Sequence, residues 1–124
     1  MMVGAELVGV CVTRHQDGER QILVGTSGHE LWIMPTVVLA QGEHQAEAAW
    51  RATQAIAPES SFLTFRRLAS LAATSDSEGS VLHIFQTTPE EDLPDLDGSY
   101  RWLSYQLAAP RLPAPWPAAL ARLD

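Results

Sequence analysis

Residues 32–58, WIMPTVVLAQGEHQAEAAWRATQAIAP, decide how this chain is read. Within it, His44 to Ala57 is a helical segment. Ala46, Ala49, Trp50, Thr53, Ile56 and Ala57 recur at helical spacing, which predicts a stripe facing the core. Pro58 ends the segment, because the residue before a proline is pushed out of the α region. Upstream, Leu31 to Met34 and Val37 to Ala40 read as short strands separated by Pro35, which has no N–H to give to a ladder.

On the N-terminal side, Leu7 to Thr13 is rich in valine and reads as a strand. Asp17-Gly18 is a hairpin signal, since both residues tolerate positive φ. Arg20 to Thr26 is the returning strand, broken at Ser27-Gly28. Beyond the helix, strands are expected around Phe62 to Ala72 and Val81 to Thr87, joined by the polar loop Thr74 to Gly79. An acidic loop, Pro89 to Gly98, precedes a short strand at Tyr100 to Leu103. A helical turn capped by Ser104 and a last helix at Pro117 to Leu123 close the chain. Leu112 and Trp116 are expected to pack down from the proline-rich connector between them. The class is α+β: a mixed β-sheet sandwiched between helices, with the His44 to Ala57 helix on one face and the C-terminal helix on the other.

The 124 residues suit one domain. Hydrophobic residues at 46% and charged residues at 19% fit a globular chain. The net charge of -7, with eight arginines and no lysine, repels a nucleic-acid backbone, so nucleic acid is an unfavourable partner. A small nucleotide remains compatible, since one local arginine or a metal ion can hold it. Cys11 is the only cysteine, which excludes an internal disulfide and a thiolate zinc cluster. No run of residues approaches membrane-span length, and a cytoplasmic location is the expectation.

Residues 32–58 resemble the motif region of the Nudix hydrolases, G-x5-E-x7-R-E-U-x-E-E-x-G-U, where U is bulky and apolar. Trp32-Ile33-Met34-Pro35 matches the usual lead-in. Gly42-Glu43 matches the Gly-Glu at the start of the motif helix, and Arg51 stands at the motif arginine. Glu47-Ala48-Ala49 looks like the common Glu-Ala-Ala of the spacer. The order of strands and Trp102-Leu103-Ser104 extend the resemblance over nearly the whole chain, and it implies the Nudix fold.

The departures fall where the family does chemistry. Pro-Gly-Gly reads Pro35-Thr36-Val37, and the three glutamates after the arginine become Ala52, Ala55 and Ile56, with Pro58 at the later glycine. In the family those glutamates hold divalent cations on a diphosphate. Mg²⁺ and Mn²⁺ want carboxylate and water oxygens, activate water and neutralise developing charge. Ala and Ile ligate nothing, so no metal site and no cofactor are expected.

Two readings follow from the resemblance. In the first, the domain binds a nucleotide-like ligand or a protein partner without hydrolysis. In the second, a divergent hydrolase cleaves a nucleoside diphosphate linked to another group, using Mg²⁺ or Mn²⁺ on replacement ligands. The candidate catalytic residues are Glu43, Glu47 and Arg51, and the candidate ligands are Glu43 and Glu47 with His44 and the acidic residues Glu90, Glu91, Asp92, Asp95 and Asp97. The simpler role for Glu47 and Arg51 is an i, i+4 ion pair on a solvated helix face. His15 and His29 are expected to be exposed, and His83, alternating with Leu82 and Ile84, is expected to face a pocket. Trp50 and Trp102 are expected in the core; in a Nudix pocket Trp32, Trp50, Trp102 and Trp116 can stack a base. Ala48, Ala52, Ala55 and Ile56 make the helix apolar on more than one side. It should be covered by a loop, a ligand or another subunit, so a homodimer or a locally closed former site is expected.

Overall fold

The computed structural model describes residues 6–26, 32–72, 80–91, 93 and 98–123, with the side chain of Trp32 left out. The expected break at Ser27-Gly28, the loop Thr74 to Gly79, His29 and the acidic residues Asp92, Asp95 and Asp97 lie outside the described residues.

Strand β1 (Glu6–Gln16) turns at Asp17-Gly18 into β2 (Glu19–Thr26). Both turn residues have positive φ, 56° and 77°, as a two-residue hairpin matching the strand twist requires. Two short strands follow, β3 (Trp32–Ile33) and β4 (Thr36–Val38), then the helix α1 (Gln45–Ile56). The chain returns through β5 (Arg66–Ala72) and β6 (Val81–Thr87), crosses to β7 (Tyr100–Ser104), and ends in α2 (Tyr105–Ala108), a 3₁₀ turn (Ala109–Arg111) and α3 (Trp116–Leu120).

β1 is the central strand of one mixed seven-stranded sheet. Its first half runs parallel to β6, from Glu6↔Val81 to Val12↔Thr87, and antiparallel to β4. Its second half pairs antiparallel with β2, which also holds β3 and β7. β5 closes the far edge on β6, with a register shift between Arg67 and Ala69.

Alternation sends neighbouring β1 side chains to opposite faces. Val8, Val10 and Val12 join Leu23, Phe85 and the α1 residues Ala48, Ala49, Ala52 and Ile56 in one apolar cluster. Cys11 joins Ile22, Ile84, Leu112, Trp116 and Leu120 in the other. The sandwich of a mixed sheet between α1 and the C-terminal elements is therefore present, and Leu112 and Trp116 pack down as expected. Burial pushes the Cys11 thiol up to about 12, against a smaller opposing pull from Arg20. No helix among the described residues is long and apolar enough to cross a membrane.

Four expectations need correction. The α1 stripe is rotated: Ala46 and Trp50 are exposed, Trp50 by 55%, while Ala48 and Ala52 are buried. Alanines let the helix lie close to the valine-covered sheet, and that spacing leaves no volume for an indole. The strand expected from Phe62 begins only at Arg66; Phe62 makes an isolated bridge to Pro89. Ser104 stands at the N-cap of α2 but its side chain makes no capping bond. The last helix begins at Trp116 and ends at Leu120, with Pro117 in its first turn, where a missing N–H is harmless.

Gly9 marks the tightest helix-face contact. A Cβ there would stand 2.6 Å from the Trp116 ring. Because that indole is itself buried, it has little room to yield. Gly9→Ala should destabilise the fold by about 1–3 kcal/mol through overpacking. In a Trp116→Leu background the same substitution should cost less than half as much, a coupling that urea unfolding of the four variants will measure.

Candidate functional site

The loop before α1 and the helix itself are tied by one arginine. Gly42, with φ 79°, turns the chain, and the Glu43 N–H donates to the Ala40 carbonyl at 3.0 Å. Glu43 accepts from the Ala40 N–H at 3.0 Å through Oε1. Arg51, two turns into the helix, donates to both carboxylate oxygens, Nε to Oε2 at 3.1 Å and Nη2 to Oε1 at 2.9 Å. The same Nη2 donates to the Val38 carbonyl at 2.8 Å. One guanidinium thus fastens β4, the turn and the helix. The hydrogen bonds from Arg51, and next that from Ala40, hold the Glu43 carboxyl below its ordinary range, and Glu43 raises Arg51. The expected pairing of Arg51 with Glu47 is corrected: the fork geometry selects Glu43, whose carboxylate meets it side-on. Glu47 is exposed, and it lines a groove with Glu43, Ala46, Trp50 and Arg51.

Ala52 follows Arg51 directly, and Ala55 and Ile56 lie about one turn further along. Ala52 is 1% and Ile56 5% exposed, both inside the cluster with Val10, Val12 and Phe85. Phe62, Phe65, Leu93, Tyr100 and Trp102 pack against that cluster. Only Ala55 faces outward. Beside this region Arg14 stacks over Trp102, its guanidinium carbon 4.3 Å from the ring centroid, and donates through Nε to Gln21 Oε1 at 2.7 Å. The indole thus packs on the core with one face while a cation covers the other.

Solved structures of similar shape place this arrangement. Caenorhabditis elegans Ap4A hydrolase is 18% identical and aligns with a TM-score of 0.75 over 98% of this chain and 96% of that one. The NUDIX domain of Shewanella oneidensis NrtR, solved in complex with ADP ribose, is 12% identical, with a TM-score of 0.64 over 98% and 86%. A chain of the complex between the C-terminal domain of mouse MUTYH and human PCNA is 16% identical, with a TM-score of 0.66 over 95% and 86%. The protein has the Nudix fold. Its sequence matches no family model and no curated protein.

The helix α1 forms within the segment where a helix was expected, and Glu43 and Arg51 meet at its start. The three positions at which the resemblance puts glutamates offer no oxygen, and two of them are sealed by apolar side chains. A hard cation does not fit that donor set. Among the described residues no three His, Cys, Asp or Glu side chains are placed to share a metal ion. His44 is exposed at the N-cap of α1, and Glu90 and Glu91 are exposed at the start of the acidic loop.

His83 is a residue whose partners the sequence did not reveal. It is 7% exposed, and its Nδ1 lies 2.7 Å from the Ser70 hydroxyl and its Nε2 3.1 Å from Glu6 Oε1. Ser70, His83 and Glu6 come from β5, β6 and β1, so only strand order brings them together. The strand alternation around His83 signalled its face but not its neighbours.

The brace makes a titration prediction. Glu43 in the folded protein should titrate below 4.5, its ordinary value. Its contribution to stability is then present above that pH and is lost as pH falls through the lower folded value. Carboxyl-carbon NMR should find the depressed midpoint in the intact chain and a return toward the ordinary one in Arg51→Ala. In Glu47→Gln it should not move.

Proposed function

We propose that this chain is a Nudix-fold binding domain: it takes up a nucleotide-like small molecule or a protein partner and leaves diphosphates uncleaved. The observation that carries the reading is the burial of Ala52 and Ile56 among apolar side chains at two of the three expected carboxylate positions. Cleaving a diphosphate expels a phosphate group and develops negative charge on the leaving oxygen. Metal ions offset that charge and deliver the water, contributing several kcal/mol, each ~1.4 kcal/mol being tenfold in rate. The alternative, a hydrolase with replacement ligands, draws no support from Glu43, whose two oxygens are already engaged by Arg51 and the Ala40 N–H. Similar folds solved with ADP ribose and in a complex of two proteins are compatible with either kind of ligand.

Calorimetric titration with Mn²⁺ is expected to give no binding in the micromolar range. A phosphate-release screen over nucleotide sugars, dinucleoside polyphosphates and nucleoside triphosphates is expected to give no turnover above the protein-free rate. Micromolar Mn²⁺ binding, with turnover that disappears in Glu43→Gln, would sink the proposal and establish the hydrolase.

A homodimer is a further part of the reading. Ala52 needs no second subunit to cover it, but Trp50 and Val38, 55% and 60% exposed, sit on either side of the Arg51 brace. A second copy would cover them there. Light scattering should give twice the chain mass for the parent and a monomer for Trp50→Glu; a monomeric parent would remove the dimer.

A further inference from the structure

A separate pocket lies at the opposite end of β1, on the face that carries the C-terminal elements. Leu123 walls it on that side. Its floor crosses the sheet: Arg66 and Gln86 face each other across β5 and β6, and His15 and Arg20 across β1 and β2. Thr13 and Thr88 complete it, and its volume is about 310 Å³. That is roughly ten times the ~30 Å³ share of a water molecule in the liquid, enough for a tetrahedral oxyanion bearing a small organic group.

The composition of this pocket opposes that of the whole chain. The protein has fifteen acidic residues against eight arginines, yet no Asp or Glu lines the pocket among the described residues, and two arginines do. The remaining polar side chains form a tuned donor and acceptor network. Gln86 Nε2 donates to the Thr13 hydroxyl at 2.8 Å, and the Thr13 and Thr88 hydroxyls are 3.2 Å apart. The Thr13 hydroxyl donates to the Thr87 carbonyl at 3.5 Å, so Thr88 donates to Thr13, and Gln86, whose amide nitrogen carries two hydrogens, keeps one donor beyond this network. Arg20 lies against the Tyr105 ring, its guanidinium carbon 6.0 Å from the centroid, which restricts its orientations. Arg66 has an interaction of its own, so a ligand would share that guanidinium with it.

From this convergence we infer a binding site for a phosphate-type oxyanion, free or as the monoester of a small molecule, held between Arg20 and Arg66. Guanidinium forks match the geometry of such an anion, and Gln86 supplies a neutral donor beneath it. The site lies apart from the α1 face, so it stands or falls independently of whether metal binds there.

The test is a set of ¹⁵N NMR titrations of the full chain with sodium phosphate, glucose 6-phosphate and sodium chloride at matched ionic strength. Saturable shifts at the amides of Thr13, Gln86 and Thr88 are expected with phosphate or its ester, and none with chloride. Arg20→Gln and Arg66→Gln should each weaken binding roughly tenfold, as loss of one charge-assisted hydrogen bond does. Arg66→Lys should retain part of it, and unchanged spectra elsewhere would establish that the variants fold. The ester binding at least as tightly as phosphate identifies a phosphorylated small molecule as the ligand; phosphate binding alone identifies the free anion. Shifts that do not saturate, that chloride reproduces, or that both glutamine variants preserve would overturn the site.

Discussion

Between Glu6 and Gln16 one strand stands at the centre of the sheet, pairing with β6 and β4 over its first part and with β2 over its second. Both of its faces are covered, so each side chain must fit a space already shaped by another layer. Val8, Val10 and Val12 set the floor for α1, and Gly9 and Cys11 set the floor for Trp116 and the C-terminal elements. The parallel pairing with β6 has a topological consequence as well. A parallel neighbour cannot be reached by a hairpin, so the chain must cross over, and α1 lies in the crossover. The helix is therefore pinned against the strand it has to span.

That pinning explains the character of the α1 face. Ala48, Ala49 and Ala52 bring the helix backbone near the valines, and the narrow gap leaves no solvent around Ala52 and Ile56. A carboxylate there would be desolvated without a partner, which costs several kcal/mol unless it takes up a proton. An enzyme that uses such carboxylates keeps them wet and clustered around a cation. Here the same helix is closed by Phe62, Phe65 and Trp102 instead. What this helix carries instead is a mechanical pairing. Arg51 holds Glu43 and the Val38 carbonyl together, a function that needs no metal and no substrate.

Charge is distributed with equal asymmetry. A chain of net charge -7 nonetheless gathers two arginines and three neutral hydrogen-bonding side chains at one end of its sheet. Bulk charge therefore argues against long polyanions, whose many phosphates sample the whole surface. It does not weigh against one small anion, which samples a few ångströms. At that range, the arginine forks outweigh distant carboxylates that salt screens.

Local chemistry made much of this fold legible in the sequence. Asp17-Gly18 fixed the first hairpin because few residue pairs accept positive φ twice, and the β-branched runs bounded β6 and located β1, which continues past Thr13 to Gln16. Pro58 stopped α1, and the spacing from Glu43 to Arg51 marked the motif helix. Those signals act within a few residues, so a linear reading captures them. The rotation of α1 about its axis was not legible, because Trp50 and Ala52 trade places according to the space left above Val10 and Val12. Nor was the partner of Arg51: Glu47 is near in sequence, but the turn at Gly42 presents Glu43 in the better geometry. The links from His83 to Ser70 and Glu6 depend on strands distant in the chain becoming neighbours, and Arg20 and Arg66 line one pocket only because β1 and β6 lie between their strands. The sequence by itself determined most of the elements and that Ala52, Ala55 and Ile56 carry no carboxylate. Only the tertiary structure decided which of those positions became core, since burial depends on the volume that other layers leave.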